Sequence, residues 1–171
     1  MIRQLLRRQL DAEILPTRDT LEALSDDVLT WKPHRDSYSL GRLAMHVATI
    51  PGWLSAFTRA DTYDMGAGGP GPAVPGSAAE ILAAHDEAVA RARATLDDVS
   101  DGSLLEPWTL LRDGLPVASM PRVEAISRYL VRHLVHHRGQ LTVYMRLCGI
   151  AVPALYGDSA DRRLLPPGLV S

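Results

Sequence analysis

Tyr129-Leu-Val-Arg-His133-Leu-Val-His136-His137-Arg-Gly-Gln-Leu-Thr-Val-Tyr144 sets two histidines four residues apart on an apolar helical stripe. At about 100° per residue, Ile126, Leu130, His133, His137, Leu141, Tyr144 and Cys148 share an arc of about 80°. Arg128, Arg132, Arg138 and Arg146 project from the other side, as a solvated face would. The spacing therefore points His133 and His137 at the core. Two imidazoles one turn apart can reach the same ion. His136 lies about 100° further round the helix and is a weaker candidate. The competing reading is two core or rim histidines bonded to carbonyl groups.

A facing helix can supply a third nitrogen. Ser39-Leu-Gly-Arg-Leu-Ala-Met-His46-Val-Ala-Thr-Ile-Pro-Gly-Trp-Leu-Ser-Ala-Phe57 carries an apolar stripe of Leu40, Leu43, Val47, Ile50, Leu54 and Phe57, with His46 on its shoulder. Taken alone His46 is an ordinary helix-surface residue. Joined to the pair it completes a three-nitrogen set that leaves coordination positions open for water or substrate.

Composition narrows the class of protein. The chain has 171 residues, nearly half of them apolar (46%) but only 5% aromatic, which suits one helical domain spanning 1–171. Its 18 basic residues are matched by 20 acidic ones, so there is no electrostatic footprint for nucleic acid. A basic recognition helix is also lacking, which argues against a transcriptional regulator. The single Cys148 rules out an intrachain disulfide and suits a reducing compartment. It lies about 16 Å along the helix from His137 and reads as a packed thiol. No signal-peptide h-region and no run of transmembrane length is present, so the expected location is the cytoplasm, with no membrane partner.

Along the chain, a first helix is expected from Ile2 to about Leu24, with Leu5, Leu6, Leu10, Leu15, Leu21 and Leu24 inward and a bend at Pro16. The Trp31-Lys-Pro-His34 loop exposes His34. Helix two is capped by Ser37 or Ser39 and disturbed by Pro51. Eight of the twelve residues from Met65 to Gly76 are glycine or proline, which makes this segment a connection. Ser77-Ala-Ala-Glu80 has the form of a capping box opening helix three, on which His85 reads as a surface residue. Asp113-Gly114 between short apolar runs predicts a hairpin whose second arm, holding Pro116, is an edge strand at best. Helix four runs from Pro121 or Arg122 to Gly149, and a less regular tail covers Ile150 to Ser171. The expected fold is all-α: a four-helix bundle plus a small β-hairpin before helix four, with its metal site between facing helices. Glu-x-x-His and His-Glu-x-x-His are both absent, which excludes di-iron bundles and the common metalloproteases.

Trp31-Lys-Pro-His34, Ser39-Leu-Gly-Arg-Leu-Ala-Met-His46, His133-Leu-Val-His-His137-Arg-Gly-Gln140-Leu and Arg146-Leu-Cys-Gly149-Ile-Ala-Val-Pro153 together resemble the DinB/YfiT-like family of metalloenzymes. The resemblance implies up-down-down-up topology with a long crossover between helices two and three. It also implies a divalent-metal site of His46, His133 and His137, holding nickel, zinc or iron, and often a homodimer. Family members with assigned activity include bacillithiol- or mycothiol-dependent S-transferases and isomerases, and the family's name points to genes induced by DNA damage. Pro51, just after the first histidine motif, departs from the pattern.

Two functions follow as expectations. The first is a metal-dependent enzyme that transfers a low-molecular-weight thiol to a small electrophilic substrate, or hydrolyses it, in stress or detoxification. The second is a metal-stabilised stress-response binding protein without turnover, favoured by the lack of a clear general acid or base. Arg138 and Gln140 are candidates to orient the ligand imidazoles.

Overall fold

The computed structural model describes residues 1–67 and 71–164. Parts of the expected crossover and tail, residues 68–70 and 165–171, lie outside the described residues. Among the described residues, six α-helices and three strands follow one another: α1 (Ile2–Glu22), α2 (Leu40–Thr49), α3 (Leu54–Arg59), β1 (Thr62–Asp64), α4 (Ala78–Asp98), β2 (Pro107–Arg112), β3 (Leu115–Pro121), α5 (Arg122–Ile126) and α6 (Arg132–Leu147). No helix among the described residues is long and apolar enough to cross a membrane.

The expected all-α bundle with a lone hairpin is corrected by a mixed three-stranded sheet of order β1-β2-β3. β2 and β3 pair antiparallel around the Asp113-Gly114 turn, where both residues adopt positive φ. β1 joins β2 in parallel, Thr62 opposite Thr109 and Asp64 opposite Leu111. The cause is a tether outside any periodic pattern. The Asp64 carboxylate accepts from Asp113 N (3.0 Å) and Gly114 N (2.8 Å), fastening the start of the crossover to the hairpin turn. Buried Arg122 completes the junction, donating to the carbonyls of Phe57 and Ala60 (2.8 Å for Ala60) and to the Asp61 carboxylate at 2.7 Å.

Helices two and four of the sequence reading are both interrupted. Ser39 caps α2 by accepting from Arg42 N, and a 3-10 turn over Ile50–Trp53 separates α2 from α3 where Pro51 removes a donor. A π-helical turn over Ser127–Val131 separates α5 from α6. That wider turn delays the rotation by roughly one residue, on the order of 100°. The buried stripe of the α6 arm becomes Leu130, Leu134, Arg138, Leu141 and Met145, and His133 and His137 move to its flank.

The core gathers α1, α2, α4 and α6 around Leu10, Leu21, Leu43, Val47, Ile81, Leu96, Ile126 and Leu134, with Trp108 of β2 beneath α3. On α1, Leu6, Leu10, Ile14 and Leu21 face inward, whereas Leu5 and Leu15 are exposed. On α4, Ser77 caps through Glu80 N and the Glu80 carboxylate reaches back to Gly76 N. His85, expected at the surface, is fully buried. It follows Ile81 by one turn on the inward stripe, whereas its acidic neighbours Asp86 and Glu87 are exposed.

Candidate metal centre

α2 reaches the site with its apolar residues turned inward. Leu40, Leu43, Ala44, Val47 and Ala48 are buried, which leaves Arg42, His46 and Thr49 on the opposite, half-buried face. Gly41 sets how closely α2 approaches the preceding loop. Its N–H donates to Leu29 O at 2.9 Å, and an added Cβ would stand 2.9 Å from that same oxygen. Leu40 N donates to Trp31 O, and Trp31 packs edge-on against Tyr144 of α6 at 5.7 Å. The N-terminal end of α2 is thereby anchored, through the Trp31 loop, to the Tyr144 end of α6.

His46, His133 and His137 meet across this α2–α6 groove. One ring nitrogen from each lies within 4.8 Å of the others, and all three residues are half-buried. His46 Nε2 and His133 Nε2 are 3.1 Å apart. The His137 ring centroid lies 4.5 Å from that of His46 and 4.4 Å from that of His133. Its other nitrogen, Nδ1, is 2.7 Å from Gln140 Oε1. Because the amide oxygen only accepts, this bond places a proton on Nδ1 and leaves the His137 Nε2 lone pair available. His136 is exposed, with its ring 4.9 Å from His137, and stays outside the trio.

The electrostatics keep these imidazoles neutral. Burial, then the neighbouring His137 and His133, push His46 down to about 4. Burial, then His137 and His136, push His133 down to about 4. His137 is also lowered, chiefly by burial, with the Gln140 bond opposing. A neutral imidazole is the metal-binding form, so three converging bases of this kind form a donor set that a divalent cation fits.

Sequence patterning brings the three histidines to one place, and several other expectations change. Arg138, read as solvated, is 1% exposed and belongs to a separate cluster with Glu13, Thr17 and Tyr156. Of the two candidate orienting residues, only Gln140 touches an imidazole of the trio. Cys148 is half-buried with its thiol pushed up by burial and then by Asp27, in keeping with a packed thiol. The pattern missed the aromatic wall. The Trp53 ring lies 5.3 Å from His46 and 5.4 Å from His133, and Tyr38 lies 6.4 Å from His46.

The sequence profile of the DinB family matches residues 6–163. Uncharacterized protein YrdA of Bacillus subtilis (strain 168) is 29% identical over 146 residues, which covers 85% of this chain and 82% of that protein. A DinB-like protein from Bacillus cereus ATCC 10987 superposes with a TM-score of 0.67 at 25% identity, covering 88% of this chain and 95% of its own. YjoA, a DinB-like protein of Bacillus subtilis, shares the fold with a TM-score of 0.63 at 18% identity, with coverage of 88% and 95%. With the profile spanning nearly its whole length, this chain belongs to the DinB family.

Proposed function

We propose that the protein is a divalent-metal-dependent enzyme that joins a low-molecular-weight thiol, or water, to a small electrophilic substrate. The observation that carries this reading is the convergence of three neutral imidazoles, within 4.8 Å of one another, at a groove that remains partly open. His46, His133 and His137 would hold the cation, and Gln140 keeps His137 in the tautomer that binds. A divalent cation held there supplies Lewis acidity, so that a thiol or water beside it loses its proton more readily at neutral pH. Trp53 shields one side of the trio from water, which strengthens any charge interaction made there. Nickel, zinc and iron all accept such a set, and bacillithiol and mycothiol are the thiols proposed for testing.

The rival is a metal-stabilised stress-response binding protein without turnover. It is favoured by one observation: among the described residues, the only side chain outside the trio that hydrogen-bonds these imidazoles is Gln140, an amide and no general base. Elemental analysis of untagged protein purified without chelator, beside His133→Ala, tests the common premise. Near-stoichiometric nickel, zinc or iron that disappears in the variant supports the metal reading and justifies thiol-transfer assays. Wild-type protein that neither carries nor takes up divalent ions rejects it. Bound metal with no turnover of any thiol and electrophile tried would favour the binding protein.

A further inference from the structure

The turn that interrupts helix two also shapes the metal centre. Ile50 and Pro51 are buried, and the Ile50–Trp53 turn packs against α4. Gly52 lets it sit close, since a Cβ there would stand 3.4 Å from Ala88 Cβ and 3.0 Å from Arg91 Nη2 on α4. While the turn rests on α4, the Trp53 side chain projects toward α6, where its ring lies 5.4 Å from His133. A helical side chain leans toward the helix N-terminus, so the same ring reaches back to His46, seven residues earlier, at 5.3 Å.

Two aromatic rings border the trio, and they are not equivalent. The face of Tyr38 carries the Arg42 guanidinium, 4.4 Å from the ring centroid. Among the described residues no cation rests on Trp53, and the only rings it touches are the two imidazoles. Its Nε1 has no hydrogen-bond partner among the described residues, yet it is not enclosed as Trp108 Nε1 is, so an edge of the half-buried indole stays open. An open aromatic surface beside the three imidazoles offers a flat, apolar group both removal from water and a ring to pack against.

We infer that Trp53 is a specificity residue that packs against a flat, apolar group of the thiol or electrophile whose reacting end occupies the three-histidine centre. The inference rests on the metal reading above and narrows its substrate class to small molecules with an aromatic or other planar unsaturated group. A saturated ring of the same size is held less well, because it brings apolar area without a π-face.

The test uses the full chain loaded with cobalt(II), whose visible spectrum reports thiolate ligation, titrated with 2-phenylethanethiol, 2-cyclohexylethanethiol and ethanethiol. In the two larger probes the ring lies two carbons from sulfur, and the saturated ring buries at least as much apolar area, so burial alone does not favour the phenyl group. The expected result in the wild type is binding of the phenyl probe about three- to tenfold tighter than the cyclohexyl probe, as an aromatic pair gives beyond its buried area. In Trp53→Leu the ratio falls to about one, a change that general loosening of the site would not produce because it weakens both probes alike. Trp53→Phe retains part of the preference. Equal affinities in the wild type overturn the inference without touching the metal reading. So does a preference that survives in Trp53→Leu, or a spectrum that responds to ethanethiol and to neither larger thiol. Protein that takes up no cobalt, or whose spectrum none of the three thiols changes, sinks the metal reading and the inference together. Should Trp53→Leu not fold, the wild-type ratio and the Trp53→Phe protein decide the matter.

Discussion

His137 and Arg138 are neighbours on α6, yet they serve two opposite kinds of polar cluster. Arg138 turns toward α1, where its Nη2 donates to Glu13 Oε2 (2.7 Å) and to the Tyr156 hydroxyl (2.8 Å) and its Nη1 to Thr17 Oγ1 (3.0 Å). The Tyr156 hydroxyl donates in turn to the same Glu13 carboxylate at 2.6 Å. There donors meet acceptors, and cation meets anion. His137 turns toward α2, where like meets like: three bases converge with only Gln140 to complement one of them. The complementary cluster satisfies both terminal nitrogens of Arg138 within the chain, leaving its buried Nε without a hydrogen-bond partner among the described residues, and holds α1, α6 and the tail together. A cluster of one sign of chemistry is complete only with something from outside, so the second is the one to read as functional.

Breaking each cluster in turn tests that division, and the largest effect belongs to the complementary one. Arg138→Ala leaves Glu13, whose side chain is only 12% exposed, without its cation, and removing one partner of such a pair costs about 3–5 kcal/mol. Urea unfolding of the metal-free protein reads this directly. His133→Ala is expected to abolish metal retention while changing metal-free stability by less than about 1 kcal/mol, because it removes a base from beside other bases. A silent Arg138→Ala, or a metal-free His133→Ala that no longer folds, would erase the distinction.

Gln140→Ala sharpens it further. Loss of the Nδ1 partner frees the His137 tautomer, and metal affinity measured by chelator competition is expected to drop about 10- to 100-fold with unfolding unchanged. Wild-type affinity in this variant would reduce Gln140 to a surface contact.

Acid should also tell the clusters apart. His46 and His133 titrate at about 4 in the folded chain and near 6.5 when unfolded. Above pH 6.5 both states leave them neutral. Between 6.5 and 4 only the unfolded state takes up these protons, so metal-free stability is lost as pH falls through that window and levels off below it. Urea midpoints at pH 7.5 and 4.5 measure the loss, and His133→Ala should flatten the slope. An unchanged slope would show that the histidine centre is not where the acid sensitivity lies.

What sequence could reveal divides along local and distant causes. The Ser39 and Ser77 caps, the Asp113-Gly114 turn and the positive φ of Gly149 depend on neighbours within a few residues, and each is legible in the pattern. Convergence of the three histidines was legible in the i, i+4 spacing of His133 and His137, although the π-turn moved the pair from the expected core stripe to its flank. β1 was not, because its place depends on an Asp64 carboxylate finding a turn 50 residues away. The interior location of Arg138 was hidden by the π-turn at Ser127–Val131, since a uniform 100° step carries its side chain out to solvent. An arginine also reads as exposed until its partner is known, and Glu13 is 125 residues distant.

His85 offers the smallest expected effect and an intermediate case between the two clusters. It is fully buried, its Nε2 has no hydrogen-bond partner among the described residues, and its Nδ1 is 3.4 Å from an Asp86 oxygen already engaged by Arg18. Burial lowers its pKa, with Asp86 opposing, so it folds as a neutral imidazole that wastes one polar atom. His85→Leu removes that atom, keeps an apolar side chain on the Ile81–Ala88–Val89–Ala92 stripe and leaves the Arg18–Asp86 pair intact. An unsatisfied buried group costs about 1–3 kcal/mol, from which imperfect repacking subtracts, so a net gain of about 1 kcal/mol is expected at pH 7.5. The gain should grow as pH falls below 6.5, where the wild-type unfolded state takes up a proton ahead of the buried ring. A loss of stability would mean that Nε2 has a partner after all, and that His85 belongs with Arg138 among the complementary contacts. An unchanged metal content in either case would keep it apart from the three histidines, which are held together by what they can bind in common.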